Sequence, residues 1–212
     1  MIISEKKTKS MIVNFTNNYQ FHTRMKINGS NIEVVDKIRI LGTTFTNNLT
    51  WSENCDILIK KVNARMQLIR KVWSFGSTRE DMVHLWKVYC LSVLEQSCMV
   101  WDSGLSIENE TDLERTQKTF VKLVLQEEYK DYFQGLKALG LETLKKRRKA
   151  LTLRFIKQSL ADGKLHNYFP MRRKQHGMET RKEEKYKIIH ANTNRYQNSP
   201  IIAMQRLLNE NQ

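Results

Sequence analysis

The spacing of apolar residues changes once along this chain of 212 residues, at Trp51, and this change constrains the fold more than any other feature. Before Trp51, β-branched and aromatic residues form short runs between Asn, Gly and Ser, which predicts strands joined by turns. After Trp51, apolar residues recur every three or four positions, which predicts amphipathic helices. We therefore predict an α+β fold, with a small antiparallel sheet followed by a helical bundle.

Three regions follow from this change of period. Residues 1–50 are predicted to form an antiparallel sheet of three or four strands. Residues 51–169 are predicted to form a bundle of about five helices. Residues 170–212 are rich in Asn, Gln, Lys and Arg and poor in apolar residues, so we expect a basic tail that is largely disordered when unbound. A short amphipathic helix is indicated within that tail, over Ile201–Leu208.

Turn and capping signals refine the boundaries. A hairpin is expected around Asn28-Gly29. The segments Thr50–Glu53 and Ser77–Glu80 resemble capping boxes, so they predict where the first two helices begin. The second helix is expected to continue to Trp101, with Tyr89 on its apolar face, and the fifth helix is expected to bury Leu144 and Phe155. The predicted strands are Met11–Phe15, Phe21–Ile27, Ile32–Val35 and Ile38–Phe45, and the three later helices run from about Glu110 to Leu125, Phe133 to Gly140 and Glu142 to Leu160.

Positive charge is concentrated at the C-terminal end. Residues 142–212 contain 17 Lys and Arg against 6 Asp and Glu, so they carry +11 of the net charge of +14. Such asymmetry favours a nucleic-acid partner, because neutralising phosphates releases condensed counterions. A soluble basic tail without a specific partner remains the alternative.

The candidate phosphate-binding residues lie in two basic runs. Five consecutive cations cannot share one face of a helix, so some of the first run are expected to lie beside the buried stripe with their charged ends in water. The first run with its neighbours comprises Lys145, Lys146, Arg147, Arg148, Lys149, Arg154 and Lys157, and the second comprises Arg172, Arg173 and Lys174. A solvated helix surface explains the first run equally well, and a localisation signal is an alternative for the second. Aromatic residues that could stack on unpaired bases are Tyr168, Phe169, Tyr186 and Tyr196.

Other chemistries are not indicated. Cys55, Cys90 and Cys98 are odd in number and have no metal-site spacing, so we expect reduced thiols in the core. No histidine has a partner at the spacing of a metal site or catalytic triad. No apolar run approaches the roughly 20 residues that span a bilayer, and the N-terminus lacks the apolar segment of a signal peptide. We expect no membrane partner and an intracellular location, in nucleus or cytoplasm.

Several segments, taken in order, resemble the end of the palm, the thumb and the post-thumb region of reverse transcriptases from jockey-like retrotransposons that lack long terminal repeats. The resemblance covers roughly residues 6 to 170. The segments are Lys7–Val13, Ile27–Ile32, Ile38–Phe45, Leu49–Trp51, Leu94-Glu95 with Val100-Trp101, Leu113–Lys118 and Leu139–Arg148.

This resemblance implies a fragment of an RNA-directed DNA polymerase that is catalytically inert. Such enzymes hold two Mg²⁺ ions with carboxylates that include an Ala-Asp-Asp hairpin, because the ions clamp the attacking and leaving oxygens. The sequence contains no Asp-Asp pair. We therefore expect no cofactor, no catalytic residue and a chain that begins just after the missing hairpin. Nonspecific RNA or DNA and the missing upstream polymerase region are the expected partners.

The resemblance also points to three residues near the N-terminus. Lys7 and Lys9 match a run beside the nucleotide site of the intact enzyme, although solvated lysines at the start of a strand are the favoured explanation. Gly42 matches a hairpin that contacts the primer, where a glycine admits a sugar-phosphate backbone; a turn glycine is the alternative. The competing function for the whole chain is a helical protein-interaction or structural domain without nucleic-acid binding.

Overall fold

The computed structural model describes residues 4, 7–14, 25–171 and 186–211. Its class is α+β, as predicted, with short strands before Thr50 and helices from Ser52 onward. The strands β1 (Lys9–Ser10), β2 (Lys26–Ile27), β3 (Ser30–Asn31), β4 (Glu33–Val34), β5 (Lys37–Ile40) and β6 (Thr43–Thr46) come first. The helices are α1 (Ser52–Ser74), α2 (Arg79–Leu85), α3 (Ser92–Leu94), α4 (Cys98–Trp101), α5 (Ile107–Leu125), α6 (Tyr132–Ala138), α7 (Leu144–Ala161), α8 (Asn194–Gln197) and α9 (Pro200–Glu210).

The prediction of one antiparallel sheet is wrong in detail. Within the described ranges the strands form three separate pairs, β1 with β4, β2 with β3, and β5 with β6. The first pair is parallel and the other two are antiparallel. Most strand residues are exposed, so the pairs have little apolar surface with which to join into a single buried sheet.

Two tight hairpins have a positive φ at both central residues, which suits Asn28 and the two glycines but is uncommon for Leu41. Asn28 and Gly29 have φ of 50° and 84°, and Leu41 and Gly42 have φ of 47° and 90°. Positive φ at both central residues is the type I′ geometry that matches the twist of a two-residue hairpin. The hairpin expected at Asn28-Gly29 is confirmed, whereas the strand predicted over Ile38–Phe45 is divided by the second turn.

Helix α1 forms the centre of the main core. Its buried stripe faces α5, and the two helices enclose the stacked rings of Trp86 and Phe120, whose centroids are 4.5 Å apart. The Nε1 atom of Trp86 donates to Oε1 of the fully buried Gln117 at 3.3 Å. The capping box predicted at Thr50 is wrong: Trp51 occupies the cap position and no side chain caps the helix.

The second predicted helix is interrupted twice. Thr78 and Asp81 form the capping box that begins α2, one residue after the predicted position. A π-helix then runs over Trp86–Leu91. Cys90 within it is buried, as expected of a core thiol, whereas Tyr89 is exposed, so its predicted place on the apolar face is wrong. Ser97, with φ of 52°, ends the segment before α4.

Helices α5 to α7 lie close to their predicted positions. Leu144 at the start of α7 is fully buried, as expected. Phe155 is 37% exposed, so the prediction that it is buried is wrong. Helical spacing indicates that it lies near the buried stripe, but spacing alone does not show how far the neighbouring elements extend over it.

The end of the tail is ordered, so the prediction of a largely disordered tail is wrong for residues 186–211. Helix α9, indicated by the apolar spacing, packs on α7 in a second core that contains Ile156, Phe169 and Met204. The buried Gln205 joins two loops to this helix: its Nε2 donates to the carbonyl of Tyr168 at 2.8 Å, and its Oε1 accepts from the amide of Ile189 at 3.0 Å. The cations Arg172, Arg173 and Lys174, and parts of the strands predicted over Met11–Phe15 and Phe21–Ile27, lie outside the described residues.

The three cysteines are free and buried, which confirms the prediction of core thiols. Burial raises the pKa of Cys55 to about 12 and the pKa of Cys90 and of Cys98 to about 11. In the part of the chain that the structure describes, no helix combines the length and apolarity needed to cross a membrane.

Candidate nucleic-acid interface

The basic run Lys145–Lys149 forms the first turns of α7. Thr143 caps this helix, because its hydroxyl accepts from the amide of Lys146, and the buried Leu144 anchors the first turn in the core. Successive residues of a helix point about 100° apart, so the five cations are distributed around α7. They therefore meet acidic groups on several neighbouring elements.

Each cation of this run has a carboxylate partner within the chain. The ion pairs are Lys145–Glu110 at 2.9 Å, Lys146–Glu142 at 2.5 Å, Arg147–Glu95 at 2.5 Å, Arg148–Asp102 at 2.5 Å and Lys149–Glu210 at 2.8 Å. The pairs made by the lysines are exposed, and such pairs contribute little to stability. They nevertheless neutralise the field that phosphates would otherwise meet at this surface.

Arg148 differs from the rest of the run because it is buried. Only 1% of it is exposed, and its guanidinium lies 5.7 Å from the ring centroid of Trp101. The expectation that the charged end of Arg148 reaches water is therefore wrong. Arg147 is only partly buried, and its Nε and Nη2 both donate to Glu95.

The remaining predicted residues are dispersed. Arg154 and Lys157 are exposed farther along α7 and make no ion pair with a described residue. Lys7 is exposed, and Lys9 pairs with Glu33 at 3.3 Å. Gly42 is in contact with Gln96, whose Nε2 would lie 2.3 Å from a Cβ added at this glycine. That contact favours the turn interpretation of Gly42.

The aromatic residues predicted to stack on bases differ in their exposure. Phe169 is 2% exposed and packs edge-on against Tyr186, with ring centroids 6.4 Å apart, so it has no free face for a base. Tyr168 and Tyr196 remain about half exposed.

Three other cations, which sequence spacing does not single out as a group, lie close enough to influence one another's charge. Arg39 lies on β5, and Lys61 and Arg65 lie one turn apart on α1; we call these three residues the cation cluster. Burial, and then the charges of Arg39 and Arg65, lower the pKa of Lys61. No residue in the described ranges forms a salt bridge with any of the three.

The hairpin of β5 and β6 is fixed against α1 by two contacts next to the cluster. Lys37 pairs with Glu53 at 2.5 Å, and the amide of Thr44 donates to Oδ1 of the buried Asn54 at 3.0 Å. At the turn, Nε2 of Gln96 donates to the carbonyl of Leu41 at 3.1 Å. These contacts hold Arg39 close to α1.

The cluster lies beside an exposed aromatic ring. The Nη1 group of Arg65 donates to the carbonyl of Tyr89, and its guanidinium lies 5.9 Å from the centroid of that ring. Tyr89 is 45% exposed because of the π-helix. Adjacent positive charges without acidic partners favour a bound anion, and a neighbouring aromatic face is suited to a base.

No family model matches the chain, and neither a curated protein nor a solved structure matches it. The resemblance to reverse transcriptases therefore remains an expectation. The spacing of Lys61 and Arg65 on a predicted helix was visible in the sequence, but the approach of Arg39 depends on how the hairpin docks. Among the described residues, His, Cys, Asp and Glu form no group that could hold a metal ion.

Proposed function

We propose that this chain is a domain derived from the reverse transcriptase of a retrotransposon without long terminal repeats, and that it binds the backbone of RNA or DNA without reading the bases. The observation that supports binding is the cation cluster of Arg39, Lys61 and Arg65, where like charges lie together without a described acidic partner. The net charge of +14 would add a long-range attraction. The polymerase origin rests on the sequence resemblance.

The contact would be made to phosphates. Arginine presents several donors in a planar fork that suits phosphate oxygens, and lysine supplies a compact charge. Burial first, and then the charges of Arg39 and Arg65, lower the pKa of Lys61, and a phosphate bound beside the three residues would favour its charged form. Tyr89 could stack on a neighbouring base of any identity.

The test compares two triple variants that remove the same charge. Arg39→Gln/Lys61→Gln/Arg65→Gln removes the cluster, and Lys145→Gln/Lys146→Gln/Lys149→Gln removes three cations that already have carboxylate partners. We expect the first variant to flatten the slope of log affinity against log salt by about 2 to 3 and the second to change it by less than about 1. Fluorescence anisotropy with a labelled oligonucleotide measures both, with circular dichroism as the folding control.

Equal slopes for the two variants would show that only overall charge matters and would contradict the role of the cluster. Oligonucleotides of equal length and different sequence should bind with similar affinity. A preference of more than about tenfold would contradict recognition of the backbone alone.

A second candidate function is a protein-interaction domain without nucleic-acid binding. The observation that favours it is that all five cations of Lys145–Lys149 already pair with carboxylates of the same chain. Under this alternative the protein does not bind an oligonucleotide even at low salt.

A further inference from the structure

A cavity of about 720 Å³ lies where the first turns of three helices meet. Trp51 and Ser52 contribute from the start of α1, Asn109 from α5, and Ser199 and Pro200 from α9. The N-terminus of each helix carries about half of a positive elementary charge. Three helices of 23, 19 and 11 residues therefore direct positive potential into one cavity.

Two of these helix ends are uncapped. Neither Trp51 at α1 nor Ser199 at α9 accepts a side-chain cap hydrogen bond. At α5, in contrast, Oγ of Ser106 accepts from the amide of Asn109 at 3.1 Å. Uncapped first-turn amides are donors that need an acceptor, and an anion is a suitable one.

The indole of Trp51 supplies a further donor, independent of the helix ends. Trp51 is 8% exposed, and its Nε1 donates to no atom of the described residues. The other two buried tryptophans are satisfied: Trp86 donates to Gln117 at 3.3 Å and Trp101 donates to the carbonyl of Gln96 at 2.9 Å. Unlike those two, the Nε1 atom of Trp51 is not enclosed by the protein, so a ligand in the cavity can accept from it.

The position of Gly104 shows where this donor lies. A Cβ added at Gly104 would be 2.6 Å from Nε1 of Trp51, so the N–H edge of the ring is next to this glycine. Gly104 also lines the cavity. The Nε1 group of Trp51 is therefore placed at the cavity wall.

The other lining groups fit the same kind of ligand. Asn109 is 9% exposed; its Oδ1 accepts from Ser52 at 3.1 Å, while its Nδ2 makes no hydrogen bond with the described residues. Arg195 is the only charged residue among the described residues that line the cavity. Trp51 and Tyr196 add aromatic surface.

We propose that this cavity binds a small aromatic anion. The anionic group would accept from the first turns of α1 and α9 and from Nε1 of Trp51, and the flat apolar part would pack on Trp51 and Tyr196. The volume lies within the range of about 300 to 1,000 Å³ that is typical of small-molecule sites. The site is separate from the cation cluster and does not depend on nucleic-acid binding.

The test uses 1-naphthyl phosphate as the probe in isothermal titration calorimetry at about 150 mM salt, where attraction to exposed surface charges is screened. We expect saturable binding at one site. The neutral analogue 1-naphthol lacks the anionic group, and inorganic phosphate lacks the aromatic ring. Each should therefore bind at least about tenfold more weakly than 1-naphthyl phosphate. Absence of saturable binding, or equal binding of 1-naphthol, would overturn the proposal.

Two variants place a carboxylate in the cavity without disturbing the helices. Asn109→Asp keeps an acceptor for Ser52, and Ser199→Asp introduces a good cap, so both substitutions suit a helix N-terminus. Each should weaken 1-naphthyl phosphate at least about tenfold by charge repulsion while the melting temperature is maintained. Gln134→Glu, at an exposed position on α6, is the control for the change of net charge.

Equal affinity of the wild type and both folded carboxylate variants would overturn the proposal. If one variant fails to fold, the other decides, and the comparison of the three ligands on the wild type stands independently. Oligonucleotide affinity should be the same for Asn109→Asp and Gln134→Glu, which separates this site from the proposed nucleic-acid interface.

Discussion

Asp102 holds Arg148 inside the fold: Nε of the arginine lies 2.5 Å from Oδ1 of the aspartate, and the arginine is 1% exposed. Both Nη groups are buried and have no partner among the described residues. The ring of Trp101 lies against the guanidinium. The sequence pattern of Lys145–Lys149 indicates a solvated surface. One cation of this run, Arg148, is instead buried and connects α7 to the end of α4.

Replacing Arg148 by Gln should be strongly destabilising, because it leaves Asp102 without its buried counter-charge. We expect a loss of about 3 kcal/mol in the free energy of unfolding. Lys149→Gln, next in sequence and in an exposed pair, should cost less than about 1 kcal/mol. Urea denaturation followed by circular dichroism measures both, and similar losses would contradict the assigned burial of Arg148.

Gly42→Ala should destabilise the protein more than Gly29→Ala. Both glycines have a positive φ, of 90° and 84° respectively, so both substitutions carry the backbone cost of about 1 kcal/mol. Only at Gly42 would the new Cβ also meet Nε2 of Gln96, whereas the space around Gly29 is open. The difference in melting temperature between the two variants measures the cost of the contact with Gln96. Pairing Gly42→Ala with Gln96→Ala should recover part of the difference.

Stability should fall at alkaline pH because of the buried thiols. The pKa of Cys90 is raised from 9.0 to about 11 by burial, so the thiolate forms more readily in the unfolded chain. The stabilising contribution is fully present below pH 9.0 and is lost as the pH rises toward about 11. Urea midpoints between these limits should decline, and Cys90→Ala should reduce the decline. An identical pH profile in that variant would contradict the role of the thiol.

Purified protein should not extend a primer on an RNA or DNA template with any divalent metal. The reason is that the sequence lacks the Asp-Asp pair that holds the metal ions in the polymerases from which we propose that the chain derives. Incorporation of labelled nucleotides above a control without protein measures this. Template-dependent incorporation would contradict the interpretation as an inert polymerase fragment.

Local sequence patterns determined most of the elements. The turn at Asn28-Gly29, the start of α2 near Thr78 and the course of α5 and α7 follow from backbone preference, capping and helical period, which act over a few residues. The same period predicted Leu144 as a core residue. It misplaced Tyr89, which lies in the π-helix and is exposed.

Tertiary structure decided which charges are free. The run Lys145–Lys149 is the strongest candidate binding site in the sequence. In the structure, carboxylates far away in the sequence, such as Glu95 and Glu210, pair with its cations. Arg39, in contrast, stands alone in the sequence and becomes part of a cluster when the hairpin docks on α1. Composition and spacing determine how much charge a chain carries and on which element it lies. Whether that charge faces a carboxylate, a buried ring or solvent depends on contacts between distant segments, which only the packed fold establishes.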